Sequence, residues 1–303
     1  MIKKARKIQK NVKIIGADNM LGNAIGVALY LLLRNDCSWA LLSEEEKLHI
    51  KNANEKHNTL RKDYTSPYTY ASVRTPTGEN WENFSYDDVQ ANSKDIKYKF
   101  ISKALENYKP KNVLEVGPGA GYMSHLICHQ ESVREYDMID INSIFIDYIS
   151  SCINNDFHGD SLTHKSYVGD ASTFKFNKKY DMIVILSAVH HIPDRFTLFN
   201  NLKKHLSGGG VIIAVDPSHY LKRLVLLSYK MIKRGYLKSS YYRSETGLST
   251  HHMCSLGEYK KISKYSNMKI QQVEFNRNKL INIFPFHEYL SSQIGIILKN
   301  KQS

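Results

Sequence analysis

Residues 112–121 read Asn-Val-Leu-Glu-Val-Gly-Pro-Gly-Ala-Gly, and this short stretch decides the fold. Its first half has the apolar content of a buried β-strand, and three alternate glycines follow at Gly117, Gly119 and Gly121. Glycines at such a point permit a tight turn and let a ligand approach the backbone closely. The next helix would offer unpaired N–H groups to a negative group. The stretch therefore predicts a strand, a ligand-binding turn and a helix, in that order.

Around this turn, from about residue 96 onward, short β-rich runs alternate with helical segments. Such alternation is typical of a parallel sheet with crossover helices, and strands with nearly continuous apolar runs suit burial on both faces. The predicted strands are 112–116, 135–139, 165–168, 181–186, 211–215, 269–275 and 294–298, and the predicted helices are 122–129, 143–153 and 195–206. Gly208, Gly209 and Gly210 are expected to stop the last of these helices. Ser255 and Glu258 form a capping-box start for one more.

The first 95 residues differ in texture from the rest of the chain. Helical signals extend to Leu60, and a polar, aromatic loop follows, so 1–95 are predicted to form a helical cap or lid before an α/β domain over 96–303. A basic N-terminal run precedes an apolar run over 24–33, which is shorter than the roughly 20 residues that span a bilayer. It predicts a buried helix, and a helix lying on a membrane surface is the alternative.

Charge and cysteine content restrict the possible settings and partners. The formal net charge of +13 suits nucleic acid, an acidic membrane surface or an anionic substrate. The four cysteines are scattered and form no CxxC pair, which argues against a disulfide framework or a zinc knuckle and favours a reducing, cytoplasmic setting. Basic residues dominate the segment 218–254 after the fifth predicted strand, and interleaved apolar residues give much of it the pattern of a basic amphipathic helix.

The glycine turn departs from the dinucleotide-binding fingerprint, because Tyr122 occupies the place of its third small residue. It resembles instead the first motif, E/D-x-G-x-G-x-G, of class I S-adenosylmethionine-dependent methyltransferases, with Glu115, Gly117, Pro118, Gly119 and Gly121 in the matching positions. The resemblance covers about 96–216 well and the last strands loosely. It implies a Rossmann-like, doubly wound α/β sheet of seven strands in the order 3-2-1-4-5-7-6, with the last strand antiparallel and a lid insertion after the fifth.

The same resemblance implies a set of cofactor contacts at the ends of successive strands. Asp140 would accept hydrogen bonds from the ribose hydroxyls, with Ile141 beside the adenine. Asp170, followed by Ala171, would receive the adenine amino group, while Leu186 and Ser187 would line the methionine part. An isolated aspartate at such a position is often a helix cap or a surface acid, but the order and spacing favour the cofactor role. Open α/β sheets bind ligands at this edge.

Methyl transfer is an in-line displacement, so the protein chiefly positions the acceptor. A hydroxyl acceptor also requires a base, for which histidine is suited near neutral pH. His191 is the preferred candidate, followed by His190 and by His251, which adjoins His252; each could equally be a packing or surface residue. These adjacent pairs lack the i, i+4 spacing and the carboxylate third ligand typical of zinc sites, so the sequence predicts no metal.

The sequence thus predicts O-methylation of a small-molecule or glycan-like acceptor, with S-adenosylmethionine as the cofactor. The basic insertion favours an anionic acceptor. Nucleic acid is disfavoured because residues 186–191 read Leu-Ser-Ala-Val-His-His. Enzymes that methylate the amino groups of bases generally carry a D/N/S-P-P-Y/F motif at this place. An RNA methyltransferase, a lipid or quinone methyltransferase in peripheral contact with a membrane, and a non-catalytic binding protein that retains the fold are the alternatives.

Overall fold

The computed structural model describes the α/β domain together with a few residues that precede it. The described residues are 81–82, 84–85, 96–157, 162–192, 194–218, 254–276, 291 and 293–301. The predicted cap over 1–95, with its apolar run at 24–33, lies almost wholly outside this part of the chain. The predicted insertion over 218–254 lies outside it except for its two end residues, and so do His251 and His252.

A seven-stranded mixed sheet forms the centre of the domain. Its strands are β1 (Asn112–Val116), β2 (Glu135–Asp140), β3 (Thr163–Val168), β4 (Tyr180–Leu186), β5 (Leu206–Pro217), β6 (Met268–Phe275) and β7 (Gln293–Asn300). They are arranged in the order β3-β2-β1-β4-β5-β7-β6. The first five strands pair in parallel, and β7 runs antiparallel to both β5 and β6. The predicted strand order and the antiparallel last strand are therefore confirmed.

Helices cover both faces of this sheet, as the doubly wound prediction requires. They are α1 (Ile96–Tyr108), α2 (Tyr122–Cys128), α3 (Ser143–Asp156), α4 (Arg195–Lys204) and α5 (Leu256–Tyr265), with a 3₁₀ turn at Val189–His191. Side chains of α1, α2 and α3 share one core layer, and those of α4 and α5 share the other. Among the described helices, none is both long enough and apolar enough to cross a membrane.

Polar side chains fix where three of these helices begin. Asn142 accepts a hydrogen bond from the Ile144 N–H at 3.0 Å, and Asp194 accepts one from the Thr197 N–H at the same distance. Ser255 accepts from the Glu258 N–H at 3.1 Å, which confirms the predicted start of α5. Each bond satisfies an N–H that the first turn of a helix leaves without an intrahelical partner.

The glycine run after α4 was expected to stop that helix, and this prediction is wrong. The helix ends at Lys204 rather than at 206, and Gly208, Gly209 and Gly210 lie inside β5. A Cβ added at Gly210 would meet the Tyr180 carbonyl oxygen at 2.8 Å. Glycine is therefore required there by the close approach of the β4 backbone.

The third strand also departs from the prediction that its residues are nearly continuously apolar. It reads Thr-His-Lys-Ser-Tyr-Val, and most of it is exposed or only half-buried. The reason is its place at the edge of the sheet, where only one neighbouring strand covers it. The remaining strand boundaries agree with the predicted ones to within about two residues, the usual uncertainty of element ends, apart from the early start of β5.

Candidate active site

The glycine turn after β1 is built from three residues in the left-handed region, with φ of 71° at Gly117, 57° at Gly119 and 83° at Gly121. A Cβ at Gly117 would come within 2.8 Å of the Ala188 Cβ, and one at Gly121 within 2.9 Å of the Ile149 Cγ1. A Cβ at Gly119 would meet nothing within 4 Å. The outer glycines are thus needed for packing, whereas the central one faces open space that a ligand can enter.

Glu115 lies directly beneath this turn and is buried. Its Oε2 accepts hydrogen bonds from the Tyr136 hydroxyl at 2.6 Å and from the Ser124 hydroxyl at 2.8 Å. Burial raises the pKa of the Glu115 carboxyl from 4.5 to about 7, against the opposing effect of these two bonds. The residue therefore braces β1, β2 and α2 against one another, and its contact with the cofactor stays a prediction.

This carboxyl predicts a pH-dependent stability. Because the folded-state pKa of about 7 exceeds the ordinary 4.5, the folded protein holds the proton more tightly than the unfolded chain does. The stabilisation is complete below pH 4.5 and disappears as the pH rises through 7, a loss of up to about 3 kcal/mol. Glu115→Gln should flatten this part of the stability profile, measured by urea unfolding between pH 4 and pH 8.

The matched control is Glu106→Gln, which removes an exposed glutamate of α1. It should leave the wild-type profile unchanged, because it removes a carboxyl and keeps Glu115 buried in its place. An unchanged slope in Glu115→Gln would mean that the Glu115 carboxyl binds protons equally in the folded and the unfolded protein, contrary to the prediction.

Two aspartates close neighbouring strands at the same edge as the glycine turn. Asp140 ends β2, and its Oδ1 accepts from the Asn142 N–H at 2.9 Å, while its carbonyl accepts from the Gly169 N–H at 2.9 Å. Asp170 is exposed, and its Oδ1 accepts from the Ser172 N–H at 2.8 Å. One oxygen of each carboxylate thus holds its own loop in place. The structure brings the two predicted cofactor acids to one edge of the sheet.

The smaller predicted cofactor residues flank these acids. Pro118 is buried, and its carbonyl accepts from the Gly121 N–H at 3.1 Å. Ala171 is buried, and its carbonyl accepts from the Asn201 side chain at 3.0 Å. Ile141 is half-buried beyond the end of β2. The backbones of Pro118 and Ala171 are therefore fixed near the turn by hydrogen bonds within the protein.

The end of β4 lies against the glycine turn. Leu186 is half-buried there, and Ser187 adopts a φ of 52°, a left-handed conformation unusual for a residue with a side chain. The Ser187 N–H donates to the Val215 carbonyl at 2.7 Å, which holds this bend against β5. Such strained residues cluster at functional sites, where the surrounding structure compensates for the strain. The bend directs the chain past Gly117 into the 3₁₀ turn.

His190 in that turn is paired with Asp216 near the end of β5. The imidazole Nδ1 lies 2.9 Å from the Asp216 Oδ1, which also accepts from the His190 backbone N–H at 3.2 Å. The other carboxylate oxygen accepts from the Tyr259 hydroxyl of α5 at 3.2 Å. Asp216 is buried, whereas the His190 side chain is 13% exposed. The carboxylate therefore orients an imidazole that solvent can still reach.

Arg195 connects the 3₁₀ turn to α5. It is buried, its Nε donates to the Val189 carbonyl at 3.2 Å, and its guanidinium forms an ion pair with Glu258. Within the described part of the chain, its Nη2 has no hydrogen-bond partner. Cys254 is buried beside this pair, and burial raises the pKa of its thiol well above the ordinary value. The turn that carries His190 is thus held from two sides.

The structure assigns geometry to only part of the predicted set of bases. His191 belongs to the 3₁₀ turn, but its side chain is not among those described, and His251 lies outside the described residues. Sequence reasoning missed Asp216, although it directly follows the predicted fifth strand and the edge rule that selected Asp140 applies to it equally. Tyr259 and Arg195 gave no comparable signal, because only the tertiary fold brings them to this place.

Comparison with known proteins now identifies the family. A family model described as "Methyltransferase domain" matches residues 89–285, more than half of the chain. The chain therefore belongs to this family, and it has the sheet and the glycine turn of the class I S-adenosylmethionine-dependent methyltransferases.

Individual relatives are more distant. Malonyl-[acyl-carrier protein] O-methyltransferase 1 of Ilyobacter polytropus is 30% identical over 128 residues, which cover 42% of this chain and 45% of that protein. The tRNA U34 carboxymethyltransferase of Nautilia profundicola is 28% identical over 120 residues, covering 39% and 38%. The chain thus spans less than half the length of these two relatives. A solved S-adenosylmethionine-dependent methyltransferase from Clostridium acetobutylicum is 14% identical, with a TM-score of 0.49, covering 72% of this chain and 96% of that one.

Proposed function

We propose that this chain is an enzyme that transfers a methyl group from S-adenosylmethionine to a hydroxyl oxygen of a small-molecule or glycan-like acceptor. The observation that carries this proposal is the His190–Asp216 pair beside the glycine turn, because a hydroxyl must lose its proton when it is methylated. S-adenosylmethionine, when bound, supplies a methyl group activated by a positive sulfonium.

The residues at the carboxyl edge of the sheet fit this cofactor. Gly119 leaves open space beside the turn, as close approach of a ligand to the backbone requires. Asp140 and Asp170 offer carboxylate oxygens, which only accept hydrogen bonds, and they therefore suit ribose hydroxyls and an adenine amino group. Leu186 and Ser187 lie at the bend against Gly117, where they would border the methionine part.

His190 then acts as the general base. Because Asp216 accepts the proton on Nδ1, the Nε2 of the same ring carries the lone pair that can take a proton from the acceptor. Asp216 stabilises the imidazolium that results, and Tyr259 fixes the carboxylate from its other side. His191 and His251 are the other candidates for this role. The charge of +13 and the basic segment 218–254 support an anionic acceptor.

A carboxylate acceptor is the second candidate, and the likeness to a malonyl-[acyl-carrier protein] O-methyltransferase favours it. A carboxylate is already deprotonated near neutral pH, so its methylation needs no base. The likeness to a tRNA carboxymethyltransferase supports a nucleic-acid acceptor, and the net charge of +13 is consistent with it. The His190–Asp216 pair distinguishes a hydroxyl acceptor from a carboxylate acceptor, because only the hydroxyl makes use of its basicity.

The test begins with calorimetric titration of the full chain with S-adenosylmethionine and with S-adenosylhomocysteine. Binding of both is expected, and failure of a folded sample to bind either would overturn the proposal. Transfer of labelled methyl groups is then measured with hydroxylated small molecules and glycans, malonyl-[acyl-carrier protein] and unmodified tRNA. Labelling of a hydroxyl compound supports the proposal, whereas labelling of only malonyl-[acyl-carrier protein] or only tRNA would replace it with the corresponding alternative.

A further inference from the structure

Three side chains with metal-ligating atoms meet on the face of the sheet that α2 and α3 cover. His125 and His129 are one helical turn apart at the end of α2, and Asp156 is the last residue of α3. One potential ligand atom from each lies within 4.8 Å of those from the other two. We propose that these residues form a site for a divalent transition metal, with zinc as the preferred ion. This site uses none of the candidate active-site residues and does not depend on the proposed function.

A hydrogen bond at His129 decides which of its ring nitrogens carries the lone pair. Its Nδ1 lies 2.8 Å from the His125 carbonyl oxygen and donates to it, so Nε2 carries the lone pair. Metal-ligating histidines commonly donate their second ring nitrogen to a backbone carbonyl or a carboxylate, and the tautomer seen here leaves Nε2 as the ligand atom. The side chain is exposed and accessible to an ion from solution.

Asp156 is also held by a hydrogen bond. Its Oδ2 accepts from the Trp81 indole N–H at 2.8 Å. Ligating carboxylates are typically fixed by such a bond at one oxygen. Trp81 packs edge-on to the His125 ring, with centroids 5.1 Å apart, and its ring centroid lies 6.1 Å from that of His129, so it borders all three proposed ligands.

His125 supplies a further observation that points to a ligand. Its Nδ1 is buried and has no hydrogen-bond partner within the part of the chain that the structure describes. Buried polar atoms are nearly always satisfied, and an ion is one of the explanations for an exception. The ring is stacked between Phe84, with centroids 4.4 Å apart, and His129, with centroids 3.9 Å apart. The Phe84 and Trp81 rings beside His125 limit the access of water to a metal there.

The donor set favours zinc among the available ions. Two imidazoles and one carboxylate suit zinc, and calcium and magnesium prefer oxygen ligands alone. Tetrahedral zinc holds its ligand atoms about 3.3 Å apart, given bond lengths of about 2.0–2.1 Å. Bringing the three ligand atoms to this separation therefore requires rotation of the exposed His129 ring out of its stacked position. A fourth position is left for water.

The metal site would stabilise the glycine turn through Trp81. The Trp81 backbone N–H donates to the Ala120 carbonyl at 3.0 Å, and its Cβ lies 3.6 Å from the position of a Cβ on Gly121. Its indole ring holds Asp156. An ion bound to Asp156 and to both histidines thus fixes the segment that covers the turn, and zinc is expected to raise the melting temperature of the protein.

The test uses protein stripped of metal with EDTA and titrated calorimetrically with zinc chloride. The wild type is expected to bind one ion. His129→Gln and Asp156→Asn are each expected to weaken zinc binding by at least about tenfold, because loss even of a residue that only hydrogen-bonds to a metal ligand usually has an effect of this size. His205→Gln is the control, because His205 packs against Phe176 in the other core layer. Circular dichroism melting in EDTA verifies that each variant folds.

A second readout localises the ion. The chain has two tryptophans, so Trp39→Phe leaves Trp81 as the sole indole fluorophore. Cobalt, which is paramagnetic, should quench the Trp81 emission in this background and fail to do so when Asp156→Asn is added. Absence of zinc binding, or equal affinity in His129→Gln, Asp156→Asn and the wild type, would overturn the proposal and in the second case place the ion among other residues.

Discussion

Leucine in place of Gly119 is expected to weaken S-adenosylmethionine binding by at least about 1,000-fold, or about 4 kcal/mol, while the domain still folds. The left-handed φ of 57° costs a residue with a side chain about 1–2 kcal/mol. A Cβ at this position meets no protein atom within 4 Å, so the new side chain enters the open space proposed for the cofactor. Calorimetric titration with the cofactor measures the first effect, and thermal melting measures the second.

Gly208→Leu is the matched control for this substitution. Gly208 is an exposed residue of β5, and a Cβ there also meets nothing within 4 Å. It should bind the cofactor as the wild type does, which separates the addition of a leucine from its addition at the turn. Wild-type affinity in Gly119→Leu would show that the cofactor does not cross the glycine turn.

Alanine in place of His190 should lower kcat for a hydroxyl acceptor by about 100- to 10,000-fold, the usual range for loss of a general base. The affinity for S-adenosylmethionine should remain unchanged, because His190 and Asp216 are proposed to act on the acceptor and are not among the proposed cofactor contacts. Asp216→Asn should also lower kcat, since an amide neither fixes the same tautomer nor stabilises the imidazolium. Steady-state kinetics at saturating cofactor and calorimetry measure the two quantities separately.

His164→Gln on the edge strand β3 serves as the control for His190→Ala. It should retain wild-type kcat, because β3 is separated from β4 by two strands. Full activity of His190→Ala on a hydroxyl acceptor would transfer the role of base to His191 or His251. Activity confined to a carboxylate acceptor, and insensitive to His190, would favour the second candidate function.

The sheet could be predicted well because its signals are local. β1 was predicted with its observed bounds, since an apolar run ends at Val116 and a glycine follows at once. The start of β5 could not be predicted in this way. Gly210 is required by the backbone of Tyr180, a contact between residues distant in sequence, and a glycine run by itself equally indicates the end of a helix.

The candidate site shows the same division between local and tertiary information. Asp140 and Asp170 could be placed because the carboxyl ends of parallel strands share one edge, whatever the details of packing. The role of Tyr259 could not, because its hydroxyl reaches Asp216 only after α5 packs against β6 and α4. The sequence did not predict the proposed metal site for a similar reason. His125 and His129 have the i, i+4 spacing, but the carboxylate that completes the set, Asp156, comes from another helix.

The ion pair between Arg195 and Glu258 also bears on how this family member could change its specificity for the methyl acceptor. The described chain stops at Ser218, soon after Asp216, and resumes at Cys254, shortly before Tyr259. Both ends of the segment 219–253 therefore adjoin the residues that orient His190. With His190 as the proposed base, substitutions between these ends leave the Asp216 network in place, so selection can alter acceptor recognition there without moving the imidazole.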